Sequence, residues 1–309
     1  MNNPLVSICS ITYNHAPFIR QCLDGFLMQQ CNFSIEIIIN DDCSTDGTTE
    51  IIREYAEKYP DKIFPVFHEE NQWSKGERGI FQKFVFPKAR GKYIALCEGD
   101  DCWTDPLKLQ KQVDFLESHP DYSMCFHKAE VIAENGADAP EIYKYIEERE
   151  YSADEILIFK PHVPTASCMM RKNVTLSIPC HPDFVVGDIL MHASAFENGR
   201  VYGMNATMSV YRRHLGGWTY SEESTNFLEN MIRHDVAMLK CYSRKVIKSR
   251  YALTSRRFYT LFKEDLIRRK TIRSIKYLPA ILKFCPFSLL VVILADIIRH
   301  ISRLLGIRK

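Results

Sequence analysis

The chain has 309 residues, 46% of them hydrophobic and 25% charged, and a net charge of +2. With no low-complexity tract or internal repeat, this excludes a fibrous or wholly disordered protein and allows one large domain with an appendage, or two domains. The opening MNNPLVSICS has no basic region followed by an apolar core, so no secretory signal is expected; the eleven scattered cysteines, none in a C-x-x-C pair, point to reduced thiols in a cytosolic protein.

Leu5–Ile11 is apolar and rich in β-formers, and TYNHAP breaks it, which predicts a strand and a turn. Phe18, Ile19, Cys22, Leu23, Phe26 and Leu27 then recur at helical spacing. Ile35–Ile39 is a second strand, stopped by the turn formers NDDCSTDG; Asp46 or Thr48 caps the next helix, whose face carries Ile51, Ile52, Tyr55, Ala56 and Tyr59. Ile63–Phe67 reads as a third strand, Gly79–Ala89 as a helix and Lys92–Cys97 as a fourth strand. Asp105 and Pro106 open a further helix, the first as cap and the second in its first turn. Thr165–Met170 reads as a strand, Gly187–Gly199 as a short helix closed by glycine, and RVYGMNATMSVYRRH as a strand or a pair of strands. From about Glu222 the pattern turns helical and basic, so the expected organisation is a domain over residues 1–220 and a helical extension over 221–309.

Alternating short apolar strands and helices imply an α/β fold, a mostly parallel sheet covered on both faces. Ligands bind such sheets where the strands end at their carboxyl edge. Three polar clusters fall there: TYNH after the first strand, NDDCSTD after the second and EGDD after the fourth. Glu98, Asp100 and Asp101 lie within four residues and repel one another unless water, a cation or a partner charge offsets them. A surface turn is one reading and a bound divalent metal the other; the convergence of the clusters favours the metal.

In this order the motifs resemble the inverting family 2 glycosyltransferases of the GT-A fold, of the kind that builds bacterial surface polysaccharides. VSICSITYNHAPFIRQCLDGFLMQ resembles that family's first strand, Tyr-Asn turn and helix, EIIINDDCSTDGT its second-strand motif, and ARGKYIALCEGDD its strand leading into the D-x-D motif. The resemblance runs from about Pro4 to Trp218 and implies transfer of a sugar from a nucleotide donor, UDP-linked by preference, with Mg²⁺ or Mn²⁺. By the same resemblance Thr12 and Tyr13 pack beside the nucleotide base, Asp42 hydrogen-bonds it with Asp41 as its neighbour, and Asn71, Lys75 and Arg78 lie near the ribose and phosphates; turn formation and helix capping are the other reading of Asp41 and Asp42. Asp100 and Asp101 hold the metal and diphosphate, Glu98 contacts ribose hydroxyls or the metal through water, and His214 is a further metal ligand or a diphosphate contact. Arg212 or Arg213 offsets leaving-group charge, and the glycines of YRRHLGGW suit a mobile closing loop. Asp188 stands where the family carries the base that deprotonates the acceptor hydroxyl, with Asp183 its nearest rival. The chain departs from the usual pattern at Glu98 and at Gly187, where an acidic residue is common.

From Lys240 to Lys309 there are 18 lysines and arginines against 3 acidic residues, a net of +15, while the preceding 239 residues carry 22 against 35, a net of −13. The apolar run Phe284–Ala295, bracketed by Pro286 and Asp296, is shorter than the roughly 20 residues a spanning helix needs. It reads as an interfacial helix with cations toward anionic lipid, or as a core helix packed on the catalytic domain. Membrane contact implies a peripheral enzyme at the cytoplasmic face and a saccharide or polyprenyl-diphosphate-linked acceptor; nothing supports nucleic-acid binding. Two alternatives stay open: a sugar nucleotidyltransferase, although SITYNHAP lacks the glycines of a phosphate loop, and a non-catalytic nucleotide-sugar-binding or scaffold protein of the same fold.

Overall fold

Val6–Thr12 (β1), Ile35–Asp41 (β2), Ile63–Phe67 (β3) and Tyr93–Leu96 (β4) pair in parallel, with Val6 opposite both Ile35 and Tyr93. The structure, a computed structural model, describes residues 3–133, 141–159, 161–214, 225–267, 276–284 and 298. Successive residues of β1 and β2 face opposite sides of the sheet, and Val6, Ile8, Cys9, Ile37, Ile38 and Ile39 are all buried. That is why these strands read as continuous apolar runs rather than alternating ones. Helix α1 (Ile19–Leu27) buries Ile19, Cys22, Leu23 and Phe26, and α2 (Thr48–Lys58) buries Ile52.

The rest of the nine-stranded sheet is mixed. Cys102–Trp103 (β5), Tyr122–Ala133 (β6), Arg149–Tyr151 (β7), Met169–Arg171 (β8) and Arg200–Arg213 (β9) extend it in the order β3-β2-β1-β4-β8-β6-β9-β5, with β7 on β9. The β4–β8, β6–β8, β5–β9 and β7–β9 pairs are antiparallel, and the long β6–β9 pair is parallel. Helices α3 (Lys108–Ser118), α4 (Ala153–Ile156), α5 (Lys172–Leu176) and α6 (Gly187–Asn198) follow in chain order. The α/β fold with parallel strands and covering helices therefore holds, with the parallel pairing concentrated in its first half.

Several local expectations shift. The helix expected over Gly79–Ala89 is a wide π-turn, Phe81–Val85, running into a 3-10 turn, Phe86–Lys88, because Pro87 has no N–H to continue the ladder. Helix α3 begins two residues after Pro106, and Asp105 Oδ1 instead accepts from Leu107 N at 2.8 Å. The Thr165–Met170 strand divides into a 3-10 turn, Thr165–Ser167, and β8. Gly199 does follow α6, but its backbone is extended; its lack of a side chain matters because a Cβ would lie 2.7 Å from the Asp121 carbonyl. Strand β6 has no counterpart in the sequence reading. All ten cysteines among the described residues are free.

The chain divides into two units, Met1–Glu222 and Glu223–Lys309. In the second, α7 (Thr225–Cys241) and α8 (Lys248–Ile267) are followed by a short helix, Leu278–Phe284. Asp235, fully buried on α7, accepts from Arg250 at 2.6 Å through Oδ1 and from Arg257 at 2.5 Å through Oδ2. Apart from Phe284, the apolar run expected to lie at a membrane, with Pro286 and Asp296, falls outside the described residues. Among the described residues no helix is long and apolar enough to cross a membrane.

Candidate active site

Strand β4 runs directly into Glu98-Gly99-Asp100-Asp101. Gly99 N donates to Ile11 O at 2.9 Å, laying this turn against the end of β1. Only glycine fits there, since a Cβ would stand 2.5 Å from Thr12 Oγ1. The close approach places the three carboxylates beside the loop that leaves β1. One oxygen from each of Glu98, Asp100 and Asp101 lies within 4.8 Å of the others.

Their electrostatics follow from that crowding. Asp101 is 1% exposed; burial, and then the charges of Asp100 and Glu98, push its carboxyl well above the usual range. Burial, followed by the charges of Asp100 and Asp188, pushes Glu98 up to about 8. Burial acts on Asp100 as well, but the hydrogen bond from His214 and the charges of His15 and His214 outweigh it and hold that carboxyl below its ordinary value. Asp101 Oδ1 accepts from Arg212 N at 2.9 Å, while Asp101 Oδ2 and Asp100 Oδ1 are buried without a hydrogen-bond partner. Two orphaned carboxylate oxygens in one acidic turn cost free energy that a cation there would recover. The donor set therefore fits a hard or borderline divalent ion.

Two histidines flank Asp100. His214 Nε2 lies 3.1 Å from Asp100 Oδ2, and His15 Nε2 lies 3.8 Å from the same oxygen. The rings of His15 and His214 stand edge to face at 5.8 Å, with Phe18 4.8 Å from His214. The sequence reading included TYNH among the edge clusters but assigned His15 no role. Its inward direction depends on Asn14, which takes a left-handed φ of 54° and whose N and Oδ1 are tied to Ser44 Oγ and Thr45 N at 2.8 Å. Arg212, expected to offset leaving-group charge, donates from its guanidinium to Asp100 O at 2.6 Å and to Gln21, which ties it to the acidic turn. Arg213 ends β9, and the Gly216-Gly217-Trp218 loop lies outside the described residues.

Of the residues expected to meet a nucleotide, Thr12, Tyr13, Asp41 and Asp42 lie at the carboxyl ends of β1 and β2, while Asn71, Lys75 and Arg78 lie in the loop after β3. Thr12 is buried, and its carbonyl accepts from Asp42 N at 3.0 Å; Tyr13 is 45% exposed. Asp41 is buried, with one oxygen accepting from Ser44 Oγ at 2.5 Å and the other from Thr49. Asp42 accepts from Gln72 N at 2.7 Å and Trp73 N at 3.0 Å, and its carbonyl accepts from Asn71 Nδ2 at 2.9 Å. Arg78 stacks over the Trp73 ring at 4.0 Å, and Lys75 pairs with Glu70 on the surface.

Asp188 sits in the first turn of α6, close enough to Glu98 and Tyr143 for its charge to raise both their pKa values. Asp183 lies 3.6 Å from His181 Nδ1. Tyr143, which sequence reasoning passed over, is 6% exposed, meets the Tyr211 ring edge on at 5.6 Å, and feels Asp101, Asp188 and Glu98. Only its place in the tertiary structure marks it.

Parallel strands β1, β2 and β4 bring the loop after β1 and the acidic turn to one edge of a mixed, helix-covered sheet, an arrangement of the GT-A class of fold. The sequence matches the family described as "Glycosyl transferase family 2" over residues 7–176, and the chain belongs to that family. An uncharacterized protein of Mycobacterium tuberculosis is 40% identical over 222 residues, covering 70% of this chain and 61% of its own length. The chain thus spans about three-fifths of such relatives. The putative teichuronic acid biosynthesis glycosyltransferase TuaG of Bacillus subtilis is 28% identical over 210 residues, 68% of this chain and 79% of its own. Among solved structures, TarS of S. aureus in complex with UDP-GlcNAc superposes with a TM-score of 0.64 at 19% identity, covering 89% of this chain and 81% of that one. The mannosyltransferase PcManGT of Pyrobaculum calidifontis, in complex with GDP-Man and Mn²⁺, gives 0.55 at 15% identity over 97% and 81%. At these identities the two structures speak to the fold.

Proposed function

We propose that the protein is a metal-dependent, inverting glycosyltransferase of hexosyl or N-acetylhexosaminyl type that moves a sugar from a nucleotide diphosphate, UDP by preference, to a hydroxyl of a saccharide or polyprenyl-diphosphate-linked acceptor. The observation that carries this reading is the pair of buried, unpartnered carboxylate oxygens on Asp100 and Asp101 at the carboxyl edge of the parallel strands, with Asp188 within electrostatic reach. Family membership supports it, as do the nucleotide sugars bound by TarS and PcManGT and the Mn²⁺ in the latter.

In this reading Thr12, Tyr13, Asp41, Asp42, Asn71 and Arg78 form the nucleotide side of the site. Asp41 and Asp42 both have their two oxygens engaged, by Ser44 and Thr49 and by Gln72 N and Trp73 N, so Asp42 meets the base through a remaining lone pair while Tyr13 covers the ring. Asp100, Asp101 and His214 would hold Mg²⁺ or Mn²⁺, with Glu98 beside them on the donor. A divalent cation bound there offsets the charge of the departing diphosphate. Asp188 accepts the proton of the acceptor hydroxyl. The oxygen attacks the anomeric carbon as the carbon–diphosphate bond breaks, and the configuration inverts. Residues 1–220 make up the catalytic domain, and the basic extension 221–309 brings the enzyme to the inner face of the membrane, where a lipid-linked acceptor resides.

Donor binding and hydrolysis across a panel of nucleotide sugars, with metal and with chelator, test the proposal. Asp100→Asn should lose metal-dependent donor binding. Asp188→Asn should bind donor normally but turn it over about 10²–10⁴-fold more slowly. Metal-independent binding, or none, would overturn it.

A further inference from the structure

The loop leaving β1 carries an imidazole that the acidic turn does not account for. His15 Nε2 stands 3.8 Å from Asp100 Oδ2, beyond hydrogen-bond reach, while His214 Nε2 approaches the same oxygen at 3.1 Å. One ligand atom from each of His15, Asp100 and His214 lies within 4.8 Å of the others, a spacing that suits atoms sharing one cation. On its far side His15 Nδ1 lies 3.1 Å from Thr12 Oγ1. A ring that donates Nδ1–H to a hydroxyl oxygen presents the Nε2 lone pair on its other side, the usual second support of a metal-bound imidazole. The whole loop is built to keep that direction. His15 N donates to Thr48 Oγ1 at 2.9 Å, Ala16 N to Asp46 Oδ2 at 2.9 Å, and Gly99 leaves the room that Thr12 Oγ1 occupies. Across the site, Asp100 Oδ1 and Asp101 Oδ2 remain buried and unpartnered, Asp101 being 1% exposed.

We propose that His15 is a metal-specificity residue: with His214 it supplies a second imidazole nitrogen to a cation held at Asp100, the carboxylate that the group His15–Asp100–His214 shares with the group Glu98–Asp100–Asp101, so that the site selects a divalent transition metal such as Mn²⁺ or Co²⁺ over Mg²⁺. The inference rests on the metal-dependent reading above. Its chemical basis is that Mg²⁺ takes oxygen ligands and keeps its water, whereas transition ions gain from imidazole. Thr12 acts through His15 as a positioning residue, its Oγ1 holding the ring's direction at Nδ1. The adjoining Phe18 ring packs 4.8 Å from the His214 ring and 6.4 Å from the His15 ring.

Pulsed electron paramagnetic resonance of the full chain loaded with Mn²⁺, alone and with UDP, counts the nitrogens coupled to the ion. Two are expected in the native chain and one in His15→Gln. In parallel, Mn²⁺ and Mg²⁺ affinities are measured by competition. His15→Gln should weaken Mn²⁺ about tenfold or more while leaving Mg²⁺ within about twofold, and Thr12→Val should weaken Mn²⁺ by a smaller factor. Unchanged melting of each variant separates these effects from misfolding. The nitrogen count of the native chain alone is decisive even if His15→Gln does not fold. One nitrogen in the native chain, an unchanged count in folded His15→Gln, or an equal loss of both metals would overturn the role of His15. Asp101→Asn separates the two levels. If it abolishes Mn²⁺ binding while no His15 nitrogen is seen, only this inference falls. If neither ion binds the native chain even with UDP, the metal-dependent reading falls with it.

Discussion

Two buried carboxylate groups in this molecule are built on opposite principles. In the first unit Glu98, Asp100 and Asp101 crowd together, raise two of their own pKa values, and leave two oxygens without partners. In the second, Asp235 has both oxygens closed by Arg250 and Arg257 within the helical pair. Like charges left open are the arrangement that a bound cation would offset, whereas opposite charges that close on each other are architecture. Burial alone therefore says little about function; the sign and satisfaction of the neighbours decide it.

The sharpest way to break this contrast is Asp101→Asn. Turnover should fall at least about 10³-fold, because ligation is lost, while the melting temperature stays level or rises as repulsion is relieved. Unimpaired turnover, or a marked loss of stability, would place the acidic turn with architecture. The converse holds for Asp235→Leu, which strands two arginines in the helical unit and should destabilise it by about 3–5 kcal/mol, read by denaturant unfolding. A neutral result there would erase the distinction from the other side.

Gly99→Ala probes the join between turn and loop. Its Cβ would press on Thr12 Oγ1, so a loss of about 1–3 kcal/mol is expected together with weakened metal affinity. Stability loss without any effect on metal would uncouple the two. The last prediction concerns acid sensitivity and His234, whose folded pKa burial, and then the Arg250 and Arg257 charges, push down to about 3. Because the unfolded chain takes up that proton near pH 6.5 and the folded one does not, stability present above that pH is lost as pH falls toward 3. His234→Asn should flatten the melting-temperature profile across that window. A profile unchanged by the substitution would assign acid sensitivity to other groups.

Strands β1 to β4 were legible because each is apolar on both faces, the signature of a covered parallel sheet. Strand β6 was not, since Ser123, His127, Lys128 and Glu130 interrupt its apolar residues; Ser123 and His127 are nonetheless buried, bonded to Ala195 O and Lys128 O. The site divides the same way. The acidic turn after β4 stands out in the chain as three carboxylates in four residues, but His15 carries no such mark. Its meaning depends on a left-handed Asn14 and on Thr48, 33 residues away in sequence. Asp41 and Asp42 look equivalent in sequence, and only the partners Ser44, Thr49, Gln72 and Trp73 separate a carboxylate that ties down its own turn from one that holds the loop after β3.

What the sequence by itself determined is therefore the strand–helix alternation of the first half, the edge at which its polar clusters meet, and the acidic character of that edge. These follow from local periodicity and from charge density, which neighbouring residues carry without help. What only the tertiary structure decided is which of those groups are satisfied and which are left open, because the partners of Asp100, Asp101, Asp41 and His15 arrive from segments up to 114 residues distant. Hydrogen bonds and ion pairs between such segments depend on distances of a few tenths of an ångström, and chain order does not encode those distances until the sheet has brought the segments together.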